Sequence, residues 1–167
     1  MADKFKPFIA HELAHYYFGD YRNFNSELGD MFQESFSEYL ALKLTSQSID
    51  DKTCFKNISK KLAKMEGKMF SAIKDVKNAA DYGNRNLYVY TYAAIIWLAI
   101  EKEIGEEKMW QWLHKILTVE TAETEQTDYK FMIKTLASVI EKEQLDFIEE
   151  TYLSNKNAVK NANTALQ

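Results

Sequence analysis

Only one Pro and five Gly occur in the 167 residues, and this scarcity narrows the possible folds more than any other feature. A β-sandwich or barrel needs turn residues every ~8–12 positions. The chain is therefore expected to be all-α, with about six or seven helices joined by short loops. At 46% hydrophobic and 28% charged, it can bury one core and is expected to form one domain over residues 1–153. The tail from Ser154 is rich in Asn, Ala and Lys, offers little to bury, and is expected to fray over 154–167.

Apolar spacing sets the helices. Pro7 suits a first turn, and the helix it opens is expected to run to Phe18 and stop at Gly19. Phe32, Phe36, Tyr39 and Leu40 recur at helical spacing in a second helix from Leu28 to Leu44. Asp50 or Asp51 can cap a third, with Phe55, Ile58, Leu62 and Met65 as its stripe. Asn78 to Asn86 reads as a loop. Tyr88 to Ile104 predicts a central buried helix ending at Gly105, with a strand conceivable over Leu87 to Tyr92. Glu106 to Val119 is amphipathic. Thr127 can cap a helix carrying Phe131, Ile133, Leu136 and Ile140, and a shorter helix follows over Leu145 to Leu153.

Several function classes are disfavoured. A net charge of −4 and a pI near 5.5 suggest no basic nucleic-acid surface. The longest apolar run, Ala93 to Ile100, is too short to span a bilayer. Met1 to Phe5 lacks the apolar stretch of a signal peptide, and no feature sets a compartment. Cys54 is the only cysteine, so no intrachain disulfide forms, and it is expected to be a small buried hydrophobe.

The chemistry lies in His11-Glu12-Leu13-Ala14-His15, which matches H-E-x-x-H. On a helix, positions i and i+4 share a face. Both imidazoles can then reach one zinc ion at about 2.0–2.1 Å. Zinc needs a third protein ligand and an open position for water, whose pKa it lowers to about 7. Glu12 projects next to that water and can take its proton. The third histidine, His114, sits beside Trp112 and Leu113 in a separate amphipathic helix and reads as structural.

Eighteen residues, Tyr16 to Gln33, separate His15 from Glu34. That spacing resembles the aminopeptidase N-like gluzincin zinc metallopeptidases, the alanyl aminopeptidase and leukotriene hydrolase type. The local words match as well. H-E-L-A-H-Y-Y-F-G, from His11 to Gly19, is similar to the family's H-E-L-A-H-x-W-F-G. Q-E-S-F-S-E-Y, from Gln33 to Tyr39, is similar to its N-E-G-F-A-x-Y. Tyr17, Asp20, Gln33 and Ser35 depart from the family's Trp, Asn, Asn and Gly, and none of these is a ligand position.

The resemblance implies the helical part of a thermolysin-like catalytic domain from the H-E-x-x-H helix onward. It implies one Zn²⁺ per chain held by His11, His15 and Glu34, with Glu12 as general base. A carboxylate among aromatic neighbours is costly unless paired, which fits Glu34 as a ligand. Glu38, one turn on, can accept a hydrogen bond from the outer nitrogen of His11 or His15. The family also places a tyrosine fifteen residues before a glycine. Counting back from Gly105 gives Tyr90 as a donor to the developing oxyanion. The family's K-G after that tyrosine is replaced by Tyr92-Ala93, so Tyr88 and Tyr92 remain competitors.

The resemblance runs from about Phe8 to Leu153. The family's β-rich N-terminal region and its G-x-M-E-N strand, which grips the substrate's free amine, have no counterpart here. The chain is thus expected to be a fragment carrying the metal side of a cleft. It should fold yet be weakly active or inactive by itself. Its apolar face near Phe8 and Ile9 should then be open to the missing region or to a weak homodimer contact. The implied function is hydrolysis of peptide substrates. The alternatives are a non-catalytic zinc-stabilised helical binding module and a metal-free helical domain. A structural zinc site has no need of Glu12 and favours a fourth protein ligand.

Overall fold

The computed structural model describes residues 5–48, 51–122 and 124–167; the side chains of residues 47, 48 and 51–55 are not described. The cap expected at Asp50 and the burial expected of Cys54 and Phe55 fall outside those residues and side chains. Among the described residues every regular element is helical, and one isolated bridge joins Phe18 to Arg22. In order these are α1 (Lys6–Ala14), α2 (Gly29–Ser48), α3 (Asp51–Met65), the short α4 (Arg85–Leu87), α5 (Ala94–Ile104), α6 (Glu106–Thr118), α7 (Tyr129–Ala137), α8 (Lys142–Ile148) and α9 (Ala158–Leu166). The all-α expectation holds. The helices exceed six or seven because α4 and α9 were not foreseen.

The core is aromatic and stacks in a column. Phe36 of α2 lies 5.2 Å from the Phe18 ring and 5.0 Å from the Trp97 ring, and meets Trp112 edge-on at 5.8 Å. Each buried indole N–H has an acceptor. Trp97 Nε1 donates to Ser35 Oγ at 2.8 Å, and Trp112 Nε1 donates to Thr135 Oγ1 at 3.0 Å. Truncating Trp97, which is fully buried, removes the centre of this stack and orphans the Ser35 hydroxyl. Trp97→Ala should destabilise the fold by about 3–5 kcal/mol, measured as a lower urea midpoint at an unchanged slope.

Around this column α1 lies along α2, α2 packs on α5, and α5 contacts α6 and α9. Several boundaries differ from expectation. The first helix ends at Ala14 rather than Phe18, because the chain then widens into i→i+5 bonds from Asp20, Tyr21 and Arg22 back to His15, Tyr16 and Tyr17. Asp128, not Thr127, caps α7, accepting from Phe131 N; Thr127 instead bonds Asn25. The segment Leu87 to Tyr92 is not a strand. Tyr88–Ala93 forms a π-helical stretch leading into α5. The loop read over Asn78 to Asn86 holds a 3₁₀ turn, Ala79–Tyr82, and the short α4. The tail from Ser154 has helical structure. It forms α9, which buries Ala158 and Ala162 one turn apart. Small side chains let α9 sit close to α5, with Val159 and Leu166 packed against the edge of the core.

Two loops far apart in sequence are tied together. Arg22 donates to the carbonyls of Leu117 and Val119, which close α6. Asn25 Oδ1 accepts from Thr127 N at 2.8 Å, and Ser26 Oγ donates to Thr127 O at 2.8 Å. The outer side of α1 stays open: Phe8 is 63% exposed and Leu13 56%. Near it, Tyr17, Leu40, Leu44, Trp110 and Leu113 line an apolar groove of about 810 Å³. No helix is long and apolar enough to cross a membrane among the described residues.

Candidate metal centre

His11 lies in the last turn of α1, and His15 follows at its C-terminal boundary with helical dihedrals. The shared face expected of an i, i+4 pair therefore survives the early helix end. Gly19 closes the turn behind His15 at φ 141°. A Cβ there would come within 3.2 Å of the His15 carbonyl, so a side chain would crowd that carbonyl as well as strain the backbone. From α2, Glu34, Ser37 and Glu38 face α1 at one-turn spacing.

Three atoms converge. His11 Nε2 is 3.1 Å from His15 Nε2 and 3.3 Å from Glu34 Oε2, and His15 Nε2 is 3.4 Å from Glu34 Oε2. Ligands about 2.0–2.1 Å from a tetrahedral centre lie about 3.3–3.4 Å apart, so the triangle has the size a zinc ion requires. The outer nitrogens fix the chemistry of the inner ones. His11 Nδ1 sits 3.1 Å from Glu38 Oε2, and His15 Nδ1 is 3.1 Å from the Phe18 carbonyl and 3.2 Å from Ser37 Oγ. A carbonyl and a carboxylate accept, so each neutral imidazole carries its proton on Nδ1 and aims a lone pair from Nε2 inward. Two lone pairs and a carboxylate oxygen at such distances repel one another unless a cation or a proton lies between them.

The acid–base balance has the same cause. Burial opposes a charged His11, yet hydrogen bonds and charge from Glu34 and Glu38 outweigh it and raise the imidazole to about 9. Burial likewise opposes an ionised Glu34, but His11 and Tyr90 hold its carboxyl down at about 2. Glu38 is lowered by His11 and Lys61 against its own burial. The raised His11 value means its stabilisation is complete below pH 6.5 and lost as pH rises through about 9. For Glu34 the contribution is present above pH 4.5 and lost as pH falls toward 2. A metal must displace the His11 proton, so apparent affinity should climb about tenfold per pH unit toward that value. Thermal melts with zinc or with chelator should therefore diverge between pH 6.5 and 9: the metal-free melting temperature falls while the stabilisation by zinc grows.

The remaining candidates are placed as follows. Glu12 is exposed on α1 beside His11. Tyr90 borders the cluster, its ring 5.6 Å from the His11 ring and under the Arg85 guanidinium at 5.8 Å. Tyr88 and Tyr92 turn the other way into the core: Tyr88 donates to Ser71 O at 2.9 Å, and Tyr92 stacks on Phe70 at 4.6 Å. His114 is exposed on α6, among the residues lining the apolar groove. Sequence reasoning missed Arg85, Asp30 and Lys61. Lys61 pairs with Glu38 Oε1 at 2.7 Å and donates to the Tyr90 carbonyl at 2.6 Å. Arg85 Nη2 is 3.3 Å from Glu34 Oε1. Arg85 and Lys61 lie on other elements and Asp30 one turn before Glu34 on α2, none with a motif of its own; surplus carboxylates needing a cation were the only signal.

No family model matches this sequence, and comparison with curated proteins gives no match. Among solved structures, the chain is similar to an M1 zinc metallopeptidase from Deinococcus radiodurans, crystallised as a mutant bound to a Tyr-Ser-Ala substrate. The superposition has a TM-score of 0.70 at 14% identity and covers 90% of this chain. The fold is that of the helical part of an M1 peptidase domain. This chain spans 35% of that protein's length.

Proposed function

We propose that this chain carries the zinc-binding helical side of a metallopeptidase site, with peptides as substrates and one zinc ion held by His11, His15 and Glu34. The observation that carries the reading is the convergence of two imidazole nitrogens and one carboxylate oxygen at 3.1–3.4 Å. A zinc ion there would polarise a substrate carbonyl and acidify a water at its open position. The work left to the protein is proton movement and alignment. Glu12 is exposed beside the ligands and accepts the proton of the attacking water, then returns it to the leaving amine. Glu38 and the Phe18 carbonyl hold the two imidazoles in the ligating tautomer. The Tyr90 O–H is a donor at the edge of the site and serves the oxygen on which charge develops.

Metal analysis of the purified chain tests the reading, with about one zinc per chain expected. Tyr90→Phe should lower kcat with a smaller change in KM in a form that cleaves peptides, because its bond strengthens mainly in the transition state. Steady-state kinetics check this, and an unchanged kcat would remove Tyr90 from the site. The competing reading is a zinc-stabilised binding module without turnover. An exposed acid next to two ligands serves no purpose in that module, which favours the peptidase. Cleavage from the free amino end is the specificity implied by resemblance. It requires a wall that binds the amine.

A further inference from the structure

We propose that Arg85 is a positioning residue of this site: it occupies one oxygen of Glu34, leaving the other for a metal, and lies over the Tyr90 ring, while Asp30 fixes Arg85. The proposal rests on the metal-site reading above. The geometry divides the Glu34 carboxylate in two. Oε2 faces the imidazoles at 3.3 and 3.4 Å, whereas Oε1 takes Arg85 Nη2 at 3.3 Å. A carboxylate oxygen already engaged by a guanidinium is a poor second ligand, so a metal held here would take one oxygen from Glu34.

The same guanidinium lies over the phenol, with Arg85 Cζ 5.8 Å from the Tyr90 ring centroid. Bridging Asp30, Glu34 and the Tyr90 face takes a planar fork rather than a point charge. Asp30 fixes that fork from behind, taking Nε at 2.8 Å on Oδ2 and Nη2 on Oδ1. The backbone under Arg85 is set as well, because Asn84 Oδ1 caps the short α4 by accepting from Leu87 N at 3.0 Å. Arg85 and Asp30 side chains are 43% and 38% exposed. An ion pair that open adds little stability, so the pair's effect is on orientation.

The test compares the wild-type chain with Arg85→Ala, Arg85→Lys and Asp30→Asn. Zinc affinity is measured by chelator competition, coordination by the visible spectrum of the cobalt(II)-substituted chain, and folding by circular dichroism. Arg85→Ala should weaken zinc by about 10–100-fold, the range for loss of an outer-shell partner. It should also weaken the intense visible band of four-coordinate cobalt as Glu34 swings to two-oxygen ligation. Arg85→Lys keeps the charge but cannot span Asp30, Glu34 and Tyr90, so it should recover little of either signal. Asp30→Asn should move both signals in the same direction by less. Wild-type affinity and spectrum in Arg85→Ala would overturn the proposal and leave the metal site standing. Full recovery in Arg85→Lys would reduce Arg85 to its charge and overturn it equally. Should Arg85→Ala not fold, Asp30→Asn decides, and unchanged signals there refute the role. A wild-type chain that takes up neither metal would instead refute the metal-site reading itself.

Discussion

Glu12→Gln is expected to lower peptide turnover by about 10²–10⁴-fold while leaving the zinc content unchanged. That loss corresponds to about 3–5 kcal/mol of barrier. The separation of the two effects follows from placement. His11, His15 and Glu34 supply the converging atoms, and Glu12 is exposed next to them without belonging to the triangle. Glutamine keeps the size and helix preference of glutamate and loses only its basicity. The measurement pairs hydrolysis rates with metal analysis in a form of the protein that cleaves peptides. A variant that lost its zinc along with its activity would make Glu12 part of the ligand set and undo the assigned role.

His15→Ala should abolish stoichiometric zinc binding. It removes one of three ligands outright, so its effect should exceed the roughly 10–100-fold that losing an outer partner costs. Only His11 and Glu34 would remain, 3.3 Å apart, too few to hold zinc against dilution. The fold should survive, because the groups that contact His15 Nδ1 are a backbone carbonyl and the Ser37 hydroxyl, not the aromatic column. Metal analysis after dialysis, alongside circular dichroism, gives the result. One zinc per chain retained by a folded His15→Ala protein would take His15 out of the ligand set.

What the sequence revealed, and what it concealed, follows from the range of the interactions involved. His11 and His15 share one face and Glu34 and Glu38 another, with Glu12 exposed beside them, so local spacing places each group. Apolar periodicity likewise marks α2, α5 and α6, where large side chains repeat at helical intervals. It says nothing of the π-helical stretch Tyr88–Ala93, because one extra residue per turn is absorbed by packing against α2 and α3. That stretch leaves Tyr90 at the site and Tyr88 and Tyr92 in the core. The helical tail escaped notice because its buried residues, Ala158 and Ala162, are small. Ser35, where the resembled family has glycine, gains its reason from Trp97, sixty-two residues later. Arg85 and Lys61 were illegible for the same cause: their partners are set by tertiary folding alone.

The tie between the loop after His15 and the loop before α7 has a kinetic corollary. Asn25 and Thr127 are 102 positions apart, and Arg22 reaches Leu117 across 95. Closing so long a stretch of chain is entropically slow, and contacts of this separation form late in folding. The segment that shapes the Phe18 carbonyl and Gly19 around His15 is anchored by those contacts. A nascent chain with α1 and α2 already helical would therefore hold the loop after His15 by its local backbone bonds alone until the residues around Thr127 have been made.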